Sequence, residues 1–181
     1  MWLEDTPADV RRLFDFYREC ESIVALEDEL LFAAAPEVSG WSAGHHLFHI
    51  TLANELALRN VRMLVDGGSK WIVHEGGPSL LGLLSVHHGV IPRGVGQAPR
   101  AVTPPARPDP TVVRDTYHSN VAELERLTGD LDSIIAARGG IPHADLGVLS
   151  ATRWLRFAGL HGQHHLRIMR EVLEALPARS A

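Results

Sequence analysis

Two histidines near the C-terminus have the spacing of metal ligands on a helix. His161 and His165 are four residues apart, which places their side chains on one helix face, one turn apart. Apolar residues such as Trp154, Phe157 and Val172 fall on the same face. A buried imidazole needs a hydrogen-bond partner or a metal, and two imidazoles one turn apart can share one cation as neutral nitrogen donors. The spacing therefore predicts a metal site that takes a further ligand from elsewhere in the chain.

The third ligand that the sequence favours is His49. It lies in a second amphipathic segment, on the face that carries Leu52, Leu56 and Met63, so we expect it to point into the core. Ala53 follows one turn later and is small enough to leave room for a ligand. Three neutral imidazoles would leave coordination positions open to water or substrate, as in catalytic rather than structural metal sites.

Other ligand sets remain open at this point. His45 and His49 form a rival pair with the same spacing, and His164 could take the place of His165. His46 lies at the edge of the inward face. In an alternative hypothesis without a metal, these histidines hydrogen-bond to one another and to polar groups of the core.

Four long amphipathic segments must position these histidines. Apolar residues recur in each at helical spacing, and Thr6, Ser42, Asp109 and Ser150 stand where N-cap residues are preferred. The stripe of the third segment includes Ile135. The predicted helices start at these caps and end near Pro36, Asp66, Gly139 and Pro177. With no convincing strand, we expect an all-α four-helix bundle in which residues 1–181 form one domain.

A long irregular connection, residues 67–110, separates the second and third helices. It is rich in glycine and proline, and Pro78 to Val86 is predicted to form a short helix within it. Connections of this length are usually functional lids or mobile insertions, so we expect this one to shape a substrate site. Three arginines of the connection are candidates for binding the carboxylate of a substrate: Arg93, Arg100 and Arg107. Three histidines are expected to lie at the surface or to pack within the loop: His74, His87 and His88.

Composition and charge limit the classes of function that the chain could have. The chain has 181 residues, a formal net charge of −5 and no long basic run, which argues against non-specific nucleic-acid binding. Cys20 is the one cysteine, so no internal disulfide can form, and we expect a buried, inert thiol in a reducing cytoplasm. We see no signal peptide at the N-terminus and no apolar run long enough to span a membrane. Four arginines of the last helix lie opposite the histidine face and are predicted to be solvated: Arg153, Arg156, Arg167 and Arg170.

The histidine pattern resembles that of the DinB/YfiT-like superfamily. The similarity is carried by Trp41-Ser42, by His49 eight residues after the tryptophan, and by His161 with the doubled His164-His165. It extends over nearly the whole chain. It implies a four-helix bundle, a homodimer, and one divalent metal ion held by the residues at three positions: His49, His161 and His165.

The resemblance also suggests a reaction. Characterised members include transferases and isomerases that use low-molecular-weight thiols such as bacillithiol, mycothiol or glutathione. The leading hypothesis is therefore a divalent-metal-dependent enzyme that transfers such a thiol to a small electrophilic substrate, with no catalytic side chain assigned. Zinc or nickel is the expected cation, and iron or copper are alternatives. The family often has glutamine where Ile168 stands here, so the environment of the metal is expected to differ.

Two alternative functions keep the same histidines. In a metal-dependent hydrolase the cation would activate water, although no carboxylate stands close to the histidines in sequence. In a non-catalytic protein, such as a stress-linked sensor, the same pocket would bind a small molecule or a metal without turnover.

Overall fold

The computed structural model describes residues 5–89, 91–94 and 97–177. The segment on which the signal-peptide expectation rests, residues 1–4, lies outside these residues, as do positions 90, 95 and 96 of the long connection and residues 178–181. The described helices, in chain order, are α1 (Thr6–Val24), α2 (Asp28–Leu31), α3 (Ala43–Asp66), α4 (Leu80–Gly82), α5 (Pro110–Thr128), α6 (Leu131–Ala136) and α7 (Ala151–Ala175). The other elements are a π-helical turn (Leu83–His87), a 3-10 turn (Arg100–Val102), and the strands β1 (Ile141–His143) and β2 (Gly147–Leu149).

The four long helices form the predicted all-α bundle. α1 and α3 each pack against α5 and α7, and they contact each other only slightly, so α1 and α3 lie on a diagonal of the bundle. The core between them is made of fully buried side chains such as Leu13, Phe16, Ile50, Leu124 and Met169. Burial of each such side chain contributes about 1.5–3 kcal/mol. The most extensive interface joins α3 to α7, the two helices that carry the candidate metal ligands.

Side-chain caps begin the helices almost where the sequence predicts. Ser42 accepts a hydrogen bond from the His45 amide at 3.3 Å, and Asp109 and Ser150 cap α5 and α7 in the same way. The first helix differs by one residue, since its N-cap is Asp5, which accepts from the Ala8 amide at 3.0 Å. Each such cap stabilises its helix by roughly 1 kcal/mol.

The first helix is shorter than predicted. It ends at Val24 instead of running to Pro36, and the chain re-forms a single turn in α2. The guanidinium of Arg114 on α5 donates to the carbonyl oxygens of Val24 at 3.1 Å and Leu26 at 2.8 Å. Because these contacts satisfy carbonyls that a continuing helix would have used, a residue 90 positions away stabilises the break.

The third long helix is also interrupted. α5 ends at Thr128 and Gly129, and Asp130 caps the separate helix α6 by accepting from the Ser133 amide at 3.0 Å. This interruption shifts the helical phase, so Ile134 is buried while Ile135 is 54% exposed. The prediction that Ile135 belongs to the buried stripe was therefore wrong.

A small β-hairpin precedes α7, where no strand was predicted. β1 and β2 pair in antiparallel register, with Ile141 opposite Leu149. Three-residue strands are too short to show an alternating pattern in the sequence. Gly147 has a φ of +77°, and a Cβ at this position would lie 2.5 Å from the Ser79 amide nitrogen, so only glycine allows the long connection to pack against the hairpin.

The long connection packs on the bundle and contains the predicted short helix, as α4 followed by the π-helical turn. Bridges between Val73 and Gly140 and between Pro78 and Gly147 attach its first part to the hairpin region. Val86 and Val102 are buried, which anchors its middle and its last part. Within the described parts of the chain, none of the helices combines the length and apolar character that crossing a membrane requires.

Arg156 corrects the expectation of a fully solvated arginine face on α7. Its side chain is only 26% exposed and pairs with Asp9, whose side chain is 2% exposed, at 3.0 Å. The same guanidinium donates to the carbonyl oxygen of Val86 at 2.5 Å. A buried carboxylate on α1 draws this arginine inward, because an unpaired buried charge is costly. The pair joins α1, α7 and the π-helical turn.

Candidate metal centre

Three imidazoles from α3 and α7 converge in the bundle. One nitrogen each of His49, His161 and His165 lies within 4.8 Å of the other two, and the ring centroids are 4.7–5.2 Å apart. The Nε2 atoms of His161 and His165 are 3.0 Å apart. Two nitrogens that each lie about 2 Å from one cation are separated by roughly 2.9–3.3 Å at octahedral or tetrahedral angles. The three side chains could therefore hold a metal ion.

The backbone orients His49. Its Nδ1 lies 2.8 Å from the carbonyl oxygen of Val102 in the 3-10 turn. A carbonyl can only accept, so Nδ1 carries the hydrogen, and Nε2 keeps the lone pair that a metal requires. The ring of Trp41 packs against His49 at a centroid distance of 5.2 Å.

His165 is held by a histidine that the sequence placed only at the edge of the face. The Nδ1 of His165 lies 3.0 Å from the Nδ1 of His46, and the Nε2 of His46 lies 2.8 Å from the hydroxyl of Ser39. His46 is buried, with 5% of its surface exposed. The signal that could have identified it is its position three residues before His49, which places both on neighbouring parts of one helix face.

The rival ligands have other surroundings. His45 contacts the Ser42 hydroxyl at 2.7 Å and the Ala106 carbonyl at 3.4 Å. His164 borders the same cavity as the three converging histidines, and its ring lies 5.1 Å from that of His165. Among the described residues, the group with ligand atoms close enough to share a cation comprises His49, His161 and His165.

Burial keeps the converging imidazoles neutral. It lowers the pKa of His49, and it lowers the pKa of His161 and His165 far below the ordinary value, with the neighbouring histidines adding to the effect. Burial also lowers the pKa of His46 to about 3. Neutral imidazoles offer the lone pairs that divalent transition metals prefer.

A cavity of about 630 Å³ opens beside the three histidines. Most of its lining is apolar or aromatic, including Trp154, Phe157 and Ile168 from α7. Ala53 also lines it, as expected for a small residue next to a ligand. The ring of Phe157 stacks on His161 at 5.1 Å. A small, largely apolar molecule would fit against the three histidines.

Polar residues occur among the other cavity-lining residues. Arg93 lines the cavity and is exposed; it pairs with Glu171 at 2.5 Å and donates to the Val38 carbonyl at 2.8 Å. The other two candidate arginines, Arg100 and Arg107, are exposed. Of the three, Arg93 is the one that contributes to the wall of the cavity.

His143, from the hairpin, also borders the cavity. Its Nδ1 accepts from the amides of Asp145 at 3.2 Å and Leu146 at 3.3 Å, and burial lowers its pKa. A neutral ring that accepts at Nδ1 carries its hydrogen on Nε2, so His143 presents a donor. The sequence analysis did not identify this position, because the hairpin that orients the ring was not predicted.

The other histidines of the long connection, and the single cysteine, lie in the surroundings that the sequence predicts. His74 and His88 are exposed, and His87 packs edge-on against His88 at 4.8 Å. Cys20 is fully buried in α1, and burial raises the pKa of its thiol, which agrees with an inert cysteine.

Comparison with known proteins gives one match. A family model for the DinB superfamily matches residues 18–169, a range that contains the three converging histidines. No significant match was found among curated proteins or among solved structures.

Proposed function

Because this chain belongs to the DinB superfamily and brings His49, His161 and His165 together, we propose that it is a divalent-metal-dependent enzyme that transfers a low-molecular-weight thiol to a small electrophile. The observation that carries the proposal is the convergence of three neutral imidazoles beside an apolar cavity of about 630 Å³. Structural metal sites in proteins are usually closed by four side chains, whereas three ligands leave positions for a reactant.

The donor set fits a transition metal. Three imidazole nitrogens suit zinc or nickel, and iron and copper remain alternatives because they accept the same ligands. The carbonyl of Val102 and the ring of His46 contact the second nitrogens of His49 and His165, which is the usual arrangement around metal-binding histidines. A cation bound here would lower the pKa of a thiol sulfur and so supply a thiolate nucleophile at neutral pH.

The chain itself would bind and orient the electrophile. Trp154, Phe157 and Ile168 form an apolar wall against which the electrophile would pack. His143 would donate from Nε2 to an acceptor atom of the electrophile, and Arg93 at the exposed edge would pair with a carboxylate of the thiol. Asp145 also lines the cavity, so hydrolysis is the competing reaction that an assay must include.

The test combines metal analysis with a conjugation assay. Purified protein is analysed for bound metal and then mixed with monochlorobimane and each of bacillithiol, mycothiol and glutathione. In the expected reaction the sulfur forms a bond to carbon, chloride leaves with the bonding electrons, and the thiol proton passes to the buffer. We expect conjugation above the uncatalysed rate, its loss on chelation and its return with added metal.

Substitutions of the converging histidines are compared with the substitution of an exposed histidine outside the site. His49→Ala and His161→Ala should each abolish metal binding and conjugation, whereas His74→Ala, a change at an exposed histidine, should behave as the wild type. A folded, metal-loaded wild type that conjugates none of the three thiols would refute the transferase. Hydrolysis of an ester panel would then support the hydrolase, and inactivity throughout would support a binding protein.

We also propose a homodimer in the cytoplasm, with residues 1–181 as a single domain. The resemblance to the superfamily supports the dimer, and the single cysteine agrees with a reducing compartment. Light scattering should give about twice the chain mass of 19.8 kDa. A monomer at micromolar concentration would contradict the dimer.

A further inference from the structure

A chain of hydrogen bonds runs from a candidate metal ligand to the segment before α3. Its links are His165 Nδ1 to His46 Nδ1 at 3.0 Å and His46 Nε2 to Ser39 Oγ at 2.8 Å. The backbone amide of Trp41 also donates to Ser39 Oγ, at 3.1 Å. Both nitrogens of His46 are therefore engaged, which leaves it without a lone pair for a cation.

The chemistry of the links sets the direction of the hydrogens. If His165 offers the lone pair of Nε2 to a cation, its Nδ1 must carry the hydrogen. His46 Nδ1 must then accept that hydrogen, so the hydrogen of the neutral His46 ring is on Nε2 and is donated to Ser39. The hydroxyl oxygen of Ser39 has two lone pairs, and two N–H groups, from His46 and Trp41, are directed at it.

We propose that His46 and Ser39 are positioning residues that hold His165 in the tautomer and ring orientation needed to bind the metal. This inference rests on the metal site of the proposed function. The contact between His165 and His46 also joins α7 to the start of α3, although the two residues are 119 positions apart in sequence. The ring of Trp41 packs against His46 at 5.3 Å and against His49 at 5.2 Å. One side chain therefore supports both the hydrogen-bonded chain from His165 through His46 to Ser39, here called the relay, and the second candidate ligand, His49.

The experiment compares zinc affinity across matched variants, using a fluorescent zinc indicator as the competitor. His46→Leu removes the acceptor at nearly constant volume, and His46→Asn restores an acceptor oxygen close to the position of Nδ1. His45→Leu is the control, since it makes the same change at the neighbouring residue, which contacts Ser42 and Ala106 instead. Loss of such a supporting contact typically weakens metal binding about 10- to 100-fold.

We expect His46→Leu to weaken zinc binding by about that factor, His46→Asn to recover part of the loss, and His45→Leu to match the wild type. Nitrogen-15 spectra of the zinc-loaded wild type should show the His165 hydrogen on Nδ1. Circular dichroism and melting confirm that each variant folds. If His46→Leu does not fold, His46→Asn and Ser39→Ala carry the test, the latter with a smaller expected loss.

The outcomes separate this inference from the enzyme proposal. Unchanged zinc affinity in folded His46→Leu, or a His165 hydrogen on Nε2 in the zinc-loaded protein, would overturn the positioning role. A wild type that binds no zinc or other divalent metal would overturn both the site and the relay. If the variants behave as expected but no thiol is transferred, the relay stands and the transferase fails.

Discussion

The ion pair between Asp9 and Arg156 gives a sharp prediction because one partner is almost completely buried. The Asp9 carboxylate accepts from Arg156 at 3.0 and 3.4 Å and from Arg12 at 2.5 Å. The substitution Asp9→Asn keeps the shape of the side chain and removes its charge. Both guanidinium groups then remain close to a neutral amide inside the contact between α1 and α7.

The expected cost follows from the exposure of the three partners. Breaking a fully buried pair costs about 3–5 kcal/mol. Here Arg156 is 26% and Arg12 34% exposed, so water partly solvates both guanidinium groups after the change. We therefore expect Asp9→Asn to lower the free energy of unfolding by about 2 kcal/mol, which corresponds to a fall in Tm of about 4–8 °C for a chain of this size.

Urea unfolding followed by far-UV circular dichroism measures this change. The control is Asp15→Asn on the same helix, because Asp15 pairs with Arg18 in an exposed pair and should contribute nothing measurable. A double-mutant cycle with Arg156→Gln should show that the two losses are less than additive. Equal stability of Asp9→Asn and wild type, or strict additivity in the cycle, would refute the reasoning that the pair is buried and coupled.

Three further predictions test the site and the packing around it. Zinc at about 100 times its Kd should stabilise the wild type by about 2.7 kcal/mol, or about 5–10 °C in a thermal melt; the same shift in His49→Ala would contradict a three-histidine site. Burial raises the pKa of Tyr117 to about 12 and that of Tyr17 still further. Because the folded state favours the protonated phenols, their contribution to the free energy of unfolding should be fully present below about pH 10 and should decrease as the pH rises above it. Phenolate absorbance at 295 nm should therefore rise only with alkaline unfolding, and a titration near pH 10 in the folded protein would contradict this burial. In Gly162→Ala, the new Cβ would lie 2.8 Å from the Phe16 ring, which should lower the free energy of unfolding in urea by about 1–3 kcal/mol. A higher free energy of unfolding in this variant would mean that α1 and α7 are farther apart than the structure shows.

The sequence by itself determined the features that depend on neighbours along the chain. Helical periodicity, together with the caps at Ser42, Asp109 and Ser150, was sufficient to predict four long helices and an all-α bundle. These signals are local, since a cap bonds within three residues and an amphipathic stripe repeats every three or four. The same periodicity predicted that His161 and His165 would share one face and that His49 would point inward.

Only the tertiary structure decided which distant groups meet those elements. The end of α1 depends on Arg114 of α5, His165 contacts His46 of α3, and Arg156 turns inward because Asp9 of α1 is buried beside it. These interactions join residues 90 to 147 positions apart. Their strength comes from excluding water around paired polar groups, and that exclusion exists only when the helices are packed. A linear pattern records which side chains face inward, whereas the partners that they find depend on how the helices are arranged.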